Sequence, residues 1–445
     1  MALLIGIYQG GSYGGAISAT VVGIPGTPMA AATLLDARPM ALSGRASEAV
    51  TLSTIGSSVG SMVSGFALIL IAPALAAIAI RFGPAEMFGF ALLGLTALGA
   101  LGQGSTLKAW LMGFLGLWLS TIGRDPVTGV ARFAFDSVYF ESGITLIPLL
   151  VGLFGISELL VQANAQARAH DAGGKVSTSI RAFKTLASRA FNYLRSSVIG
   201  TFVGILPAIG GVTASFLAYR IEMFFTTSKE KFGQGNPDGV IASETANSAV
   251  TGGALIPMLA LGIPGDPIVA VLMGGLLMQG ITAGPTMFLN HADVVQGLFV
   301  VFILGAVLLL PMGLMFLRAV VAVLRLPQWL ILTGVILAAL VGTYAVQRQV
   351  FDLYLLIGFG VIGYGLRVLG FPLAPIVVGF VLGPVCEINF RRMMLVSQGE
   401  VVEHLSGRPI ALVVFGLVAM VVVYPLVRMV WMRRRPPTRV SEVPV

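Results

Sequence analysis

The sequence predicts an all-α integral membrane protein, and three of its features carry that prediction. Charged residues are only 10% of the 445 and hydrophobic residues 56%. A soluble domain carries about 25% charge, so this chain cannot cover a water-facing surface and its solvent must be largely lipid. The apolar residues fall into segments near the ~20 residues that a helix needs to cross ~30 Å of hydrocarbon. Several of these segments are interrupted by Gly and Pro, the pattern of broken or re-entrant helices. In lipid, the need to satisfy every backbone polar group makes the segments helical.

In chain order the candidate segments are Ala49–Ile80, Met87–Leu101, Leu107–Ile122, Gly143–Val161, Ser196–Tyr219, Val240–Leu261, Ile268–Ile281, Val294–Leu324, Trp329–Val346, Leu353–Leu366, Pro372–Val385 and Ile410–Met432. They amount to ten to twelve transmembrane or re-entrant elements. The polar stretches are Asp36–Glu48, Gln162–Arg195, Arg220–Asp238, Asn389–Arg408 and Arg433–Val445. Residues 1–161 are read as a first membrane repeat, 162–195 as a cytoplasmic connecting loop and 196–346 as a second repeat. C-terminal membrane helices follow over 347–432, and 433–445 is read as a disordered basic tail.

Arg168, Lys175, Arg181, Lys184, Arg189 and Arg195 in the connecting loop place it in the cytoplasm by the positive-inside rule, as Arg433, Arg434 and Arg435 place the tail. The same rule accounts for the net charge of +8 without a nucleic-acid partner. One cysteine, Cys386, and three histidines exclude an internal disulfide and argue against a zinc centre. Glu158 and Glu387 lie near segment ends, where they are expected to face water or pair with arginines.

A repeat carries the functional argument. Gly14-Gly15-Ala16 precedes Gly23-Ile24-Pro25-Gly26-Thr27-Pro28, and Gly252-Gly253-Ala254 precedes Gly262-Ile263-Pro264-Gly265-Asp266-Pro267, with one residue of slippage between the blocks. In each copy Pro25 or Pro264 is expected to end a helix. Gly26 or Gly265 allows positive φ and close approach of backbone to a ligand. Thr27 or Asp266 suits the N-cap and Pro28 or Pro267 the first helical position. The motif would thus break one helix and start another at membrane depth, where free N–H groups attract carboxylates. Paired breaks of this kind point to a transporter site; two structural kinks are the plainer reading. Gly210 and Gly211, after Pro207, form a further expected break. Arg38 and Arg45 follow the first block, whereas Thr282–Asp293 after the second has no Lys or Arg, which suggests inverted repeats.

The candidate substrate-binding residues are therefore Gly23, Pro25, Gly26, Thr27, Gly262, Pro264, Gly265, Asp266, Gly210 and Gly211. These motifs contain no Lys or Arg, so backbone dipoles are expected to neutralise the substrate, with or without a bound cation. Candidate cation ligands are Glu244, Asn247 and Asp266, because a cation site needs oxygens. An ionisable residue within the membrane is functional by default; Glu244 could instead cap a helix at a loop edge. Asp266, a carboxylate beside an anion site, should face a cation or cap its helix.

Several blocks resemble the large subunit of the tripartite tricarboxylate transporters. They are Tyr13–Ala49 (YGGAISATVVGIPGTPMAAATLLDARPMALSGRASEA), Gly152–Leu160 (GLFGISELL), Ile199–Gly211 (IGTFVGILPAIGG), Phe232–Pro267 (FGQGNPDGVIASETANSAVTGGALIPMLALGIPGDP) and Gly365–Arg392 (GLRVLGFPLAPIVVGFVLGPVCEINFRR). The resemblance implies a secondary importer of small carboxylates in the bacterial inner membrane, driven by a cation gradient (Na⁺ or H⁺) and free of other cofactors. It further implies two partners, a small membrane subunit and a periplasmic solute-binding protein. The family also has, before its first YGG block, a segment matching Gly200–Gly211. That segment would fall upstream of Met1, so the chain reads as N-terminally incomplete. Ala208 stands where the family usually has Gly, and Ser248 where it often has Asn.

Two other classes compete. A truncated, non-functional permease fragment or a scaffold subunit would share the same motifs. A membrane-embedded enzyme would need a nucleophile with its base, an HExxH or clustered aspartates, and a pump would need GxxxxGK[ST]; the sequence holds none of these.

Overall fold

The computed structural model describes residues 1–433 apart from 24, 102–105, 126–127, 165–176, 207–209, 227 and 325. Pro207 and Ala208, the loop residues Arg168 and Lys175, and Arg434 and Arg435 of the tail therefore lie outside the described residues. The chain is a multi-pass helical membrane protein. Among the described residues five helices are long and apolar enough to cross a bilayer, and shorter apolar helices accompany them. The strand content among the described residues is one two-residue antiparallel pair, β1 (Gly123–Arg124) with β2 (Ala131–Arg132).

Helix α1 (Ala2–Val21) leads through a short 3₁₀ turn (Pro28–Ala30) into α2 (Ala31–Met40). Helix α3 (Ala46–Ala79) follows, then α4 (Pro84–Leu101) and α5 (Thr106–Ser120). Next come α6 (Leu146–Leu150) and α7 (Ser157–Asn164), joined by a π-helical turn. The second half holds α8 (Ile180–Ser188), α9 (Ala190–Ile205), α10 (Gly210–Phe225), α11 (Pro237–Leu261) and α12 (Pro267–Leu277). The last part of the chain holds α13 (Ala292–Met315), the short α14 (Leu317–Leu324), α15 (Gln328–Gln347), α16 (Val350–Val368), α17 (Ala374–Val396) and α18 (Pro409–Arg433).

One expected boundary is corrected. The polar stretch Asp36–Glu48 does not separate two membrane helices as a loop. It is helical throughout except at Gly44, whose φ of +82° turns the chain between α2 and α3. Its two carboxylates face inward, for Asp36 is completely buried and Glu48 is buried as well. Oδ1 of Asp36 accepts the backbone N–H groups of Gly233 (2.9 Å), Gly235 (2.9 Å) and Asn236 (2.8 Å), and Oδ2 accepts the Tyr219 hydroxyl (2.7 Å). One carboxylate thus ties α2 to the segment that starts α11 and supplies partners for donors that have none in a helix. Ser196–Tyr219 holds the break expected at Gly210, for α9 ends at Ile205 and α10 starts at Gly210.

Every residue of α11 is buried, including Asp238, Ser243, Glu244, Thr245, Asn247, Ser248 and Thr251. It forms the axis of the molecule, with α3, α9 and α10 packed round it. Lipid tails are as apolar as leucine, so helices in a bilayer associate through close packing of small residues rather than by escaping water. Glycine makes the close approach here. A Cβ at Gly200 would lie 2.8 Å from Ala246 Cα, one at Gly204 would lie 3.0 Å from Gly253 Cα, and one at Gly60 would collide with Thr245 and lie 3.2 Å from Ala249 N.

Ion pairs gather at the helix ends. Arg45 bridges Glu48 and Glu230, and Arg189 meets Asp238 at 2.6 Å, while Arg195 pairs with Glu222. Elsewhere Arg132 and Arg391 share Asp125 and Glu387, and Arg367 holds Glu158, so both glutamates expected to pair with arginines do so.

Replacing Gly200 or Gly60 with Val should loosen the α9–α11 and α3–α11 contacts at a cost of about 1–3 kcal/mol. The melting temperature in detergent should fall for both, while Gly6→Ala, in open space, should melt like the parent.

Candidate functional site

Both GIPGxP copies break helices. Helix α1 ends at Val21, where Val22 N–H and Gly23 N–H both donate to Ser18 O (2.9 and 3.2 Å), and Gly23 has φ of +81°. Helix α11 ends at Leu261, where Gly262 N–H donates to Met258 O (3.0 Å), Ile263 N–H donates to Pro257 O (3.3 Å) and Gly262 has φ of +71°. The left-handed turn therefore falls on the first glycine of each motif, not on Gly26 or Gly265. Helix termination belongs to that glycine as well, since a left-handed residue lets the last carbonyls find donors. Pro25 and Pro264 follow the stop rather than cause it.

Gly26 and Gly265 serve the other expected purpose, close approach. A Cβ on Gly26 would lie 3.0 Å from Gly15 Cα, and one on Gly265 would lie 2.7 Å from Ala254 Cα. Gly26 N–H also donates to Gly15 O at 3.3 Å. In each copy the partner stands eleven residues earlier (26 − 15 and 265 − 254). The two copies hence match at one constant offset, Gly15 with Ala254 and Gly23 with Gly262, and the slippage seen between the GGA and GIPGxP blocks disappears.

The segments restart helix differently. Asp266 is a true N-cap: Oδ1 accepts Val269 N–H at 2.8 Å and Oδ2 accepts the Tyr8 hydroxyl. Thr27 has the extended backbone of a cap (φ −133°, ψ 153°), but its side chain caps nothing. Its Oγ1 is buried against Gly15 without a hydrogen-bond partner.

Helix α1 brings the breaks together. Tyr8 contacts Asp266, Ser12 O accepts Asn247 Nδ2–H at 3.2 Å, and Gly15 underlies Gly26 and Thr27. Tyr8 and Gly15 are seven residues apart, about 10 Å of helix. The third break also converges, for Gly210 has φ of +74° and a Cβ on Gly211 would strike Met29, 2.6 Å from its sulfur. The predicted residues are not all on one open surface, however. Gly26 is exposed and Gly23, Pro25, Thr27 and Gly210 partly so, whereas Gly211 and the whole of Gly262–Asp266, Pro264 and Gly265 included, are buried.

Glu244 does not sit at a loop edge. It lies well inside α11, completely buried. Oε1 accepts from Ser57 Oγ (3.0 Å) and Asn247 Nδ2 (3.3 Å), and Oε2 accepts from Thr33 Oγ1 (3.0 Å). These donors are all neutral. Asn247 Oδ1 and Ser12 Oγ are likewise buried without partners. The Asn247 amide links the Glu244 carboxylate to the Ser12 carbonyl, one helical turn along α1 from Tyr8.

One residue at the first break was not among the candidates. Arg38, which the sequence places only after the first block, folds back from α2 onto the break. Its Nη1 donates to Val21 O (2.7 Å) and Thr20 O (3.3 Å), the carbonyl end of α1. A Cβ on Gly23 would lie 3.0 Å from Arg38 Nε. The first break therefore does carry a guanidinium. Its position fifteen residues after Gly23 (38 − 23) gave no signal, since a hairpin between α1 and α2 had to be known first.

The profile of the tripartite tricarboxylate transporter TctA family matches residues 1–378. An uncharacterised 52.8 kDa protein from the TAR-I ttuC' 3' region of Agrobacterium vitis is 34% identical over 425 residues, covering 95% of this chain and 84% of that protein. An uncharacterised protein from the TAR-II ttuC' 3' region of the same organism is 34% identical over 218 residues, covering 49% of this chain and 90% of the relative. No solved structure matches.

Asp266→Ala and Tyr8→Phe should each destabilise the folded protein. Their effects should not add, with a coupling of about 1–3 kcal/mol in a double-mutant cycle read by thermal unfolding in detergent, because they share one buried bond.

Proposed function

The chain belongs to the tripartite tricarboxylate transporter TctA family, and from that membership and the converging breaks we propose that it is the large permease subunit of a secondary transporter. It imports small organic carboxylates across the bacterial inner membrane, driven by a cation gradient. Substrate arrives on a periplasmic binding protein, and a small membrane subunit completes the complex. The observation that carries this reading is the meeting of two Pro–Gly breaks on one helix beside a buried carboxylate whose hydrogen-bond donors are neutral. Helix breaks at membrane depth are tolerated where they line a binding site.

The first break takes the substrate. Gly26 is exposed and its neighbours Gly23, Pro25 and Thr27 are partly so, and the Arg38 guanidinium lies beneath them. Backbone dipoles and Arg38 together favour an anion. Gly210 and Gly211 close the same region from α10 through Met29. The second break, with Gly262, Pro264 and Gly265 buried, takes its turn when the two units move relative to one another.

The coupling cation binds at Glu244. A buried carboxylate without a basic partner is costly, and a cation or proton supplies the missing charge. Asn247 Oδ1 and Ser12 Oγ, both lacking partners, are the oxygens that a Na⁺ would add. Asp266 is less suited than its position in the sequence suggests, since both of its oxygens already accept hydrogen bonds.

Uptake is measured in proteoliposomes that hold the small subunit, with loaded binding protein outside. Glu244→Gln should abolish the dependence on the cation gradient and cut the rate on the order of a hundredfold. Gly26→Val should lower uptake to background while the protein still inserts. Arg38→Met should raise the apparent KM for substrate by about tenfold, one lost charge-assisted contact, with a smaller effect from Arg38→Lys. Wild-type uptake by both Glu244→Gln and Gly26→Val would refute the assignment.

A further inference from the structure

A cavity of about 210 Å³ lies away from the breaks, between the start of α1 and helices α6, α12, α15 and α16. Leu4, Val271, Met278 and Val346 give it apolar walls, and Thr145, Thr343 and Asp352 bring side-chain oxygens to it. Asp352 is 2% exposed and accepts one hydrogen bond, from Thr145 Oγ1 at 2.9 Å. No lysine or arginine among the described residues pairs with it. Thr343 is also 2% exposed, and its Oγ1 has no partner. A buried polar atom without a partner marks an unmet requirement of the site.

Asp352 lies in the first turn of α16, where the helix dipole favours a negative charge. That offsets part of the cost of burying the carboxylate and leaves the Thr343 hydroxyl unexplained. A bound cation accounts for both. The side-chain donors are oxygens alone, which select a hard cation over a transition metal. One carboxylate balances one positive charge. The lining has no aromatic face, so the cage that recognises a quaternary ammonium is missing. At ~30 Å³ per water the cavity has room for an ion that keeps part of its hydration shell.

We propose that Asp352, Thr145 and Thr343 bind a small hydrated monovalent cation, distinct from the one at Glu244.

The test uses the purified full chain in detergent, with ²²Na⁺ binding at equilibrium and thermal stability titrated with NaCl against choline chloride. Asp352→Asn, which keeps the shape and the Thr145 bond, should lose one bound ion or weaken it about tenfold or more, as affinity follows ligand charge. Thr343→Val should weaken the same component several-fold, and Thr343→Ser should restore it; this pair carries the test if Asp352→Asn does not fold. Glu244→Gln should leave the component intact, which separates this site from the coupling site. The proposal is overturned if the parent binds no Na⁺, if Asp352→Asn and Thr343→Val bind it as the parent does, or if Asp352→Asn changes only proton uptake.

Discussion

The structure depends on one constraint: a backbone N–H or C=O within a bilayer must find a partner inside the protein. A helix that stops inside the protein strands such groups at both ends of the gap, and each break here is stabilised by particular residues. At the first, Arg38 takes the carbonyls of Thr20 and Val21, and Gly15 O takes the Gly26 N–H. At the second, Gly262 and Ile263 return their N–H groups to Met258 and Pro257, and Asp266 receives the N–H of Val269. These partners require the returning segment to lie on its own helix, which explains glycine at Gly15, Gly26 and Gly265. Small residues therefore cluster at the breaks for a geometric reason that precedes any role in binding.

The same constraint shapes α11. A helix with Glu244, Asn247 and five Ser, Thr or Asp residues on its surface could not face lipid, and it is enclosed on all sides by α3, α9, α10 and their neighbours. Enclosure requires closely spaced axes, so Gly60, Gly200 and Gly204 stand at the crossings. The result is a polar interior in an apolar solvent, in which Glu244 is bonded by Ser57, Thr33 and Asn247 from three segments. Substitution at a crossing glycine and substitution at Glu244 thus act on one object, the packing that keeps the carboxylate out of lipid.

Much of this was legible in the sequence. Scarcity of charge and bilayer-length apolar segments identified the class, and most segment boundaries fall within a few residues of the helices. GIPGxP correctly announced two breaks because its first glycine, left-handed in both copies, acts locally. What depended on tertiary contacts was not legible. Asp36 and Arg38 read as loop charges, because an inward-facing acid and an inward-facing base look the same in sequence as solvated ones. Their partners, Gly233 to Asn236 and the end of α1, are either distant in sequence or accessible only through a hairpin. The division of labour within each motif was also hidden: which glycine turns and which one packs is decided by the register of the return, and a constant offset of 239 (254 − 15, 262 − 23) emerged only from the contacts. Glu244 was singled out by its charge, yet its place inside a helix rather than at a loop edge came from the fold.

The two copies of the motif differ at one position, and the difference has physical consequences. Thr27 is neutral and its hydroxyl is unpartnered, so the first break keeps a donor and acceptor in reserve beside exposed backbone and a guanidinium. Asp266 is acidic, fully committed to Val269 and Tyr8, and buried. An anion approaching the second break would meet a carboxylate, while the first break has the Arg38 guanidinium beside it. On the proposed reading the breaks are therefore not equivalent halves of a symmetrical clamp. On that reading the first is the one that senses the charge of the substrate. The second holds α12 against α1 through Tyr8, and any motion that opens it must first separate that buried pair.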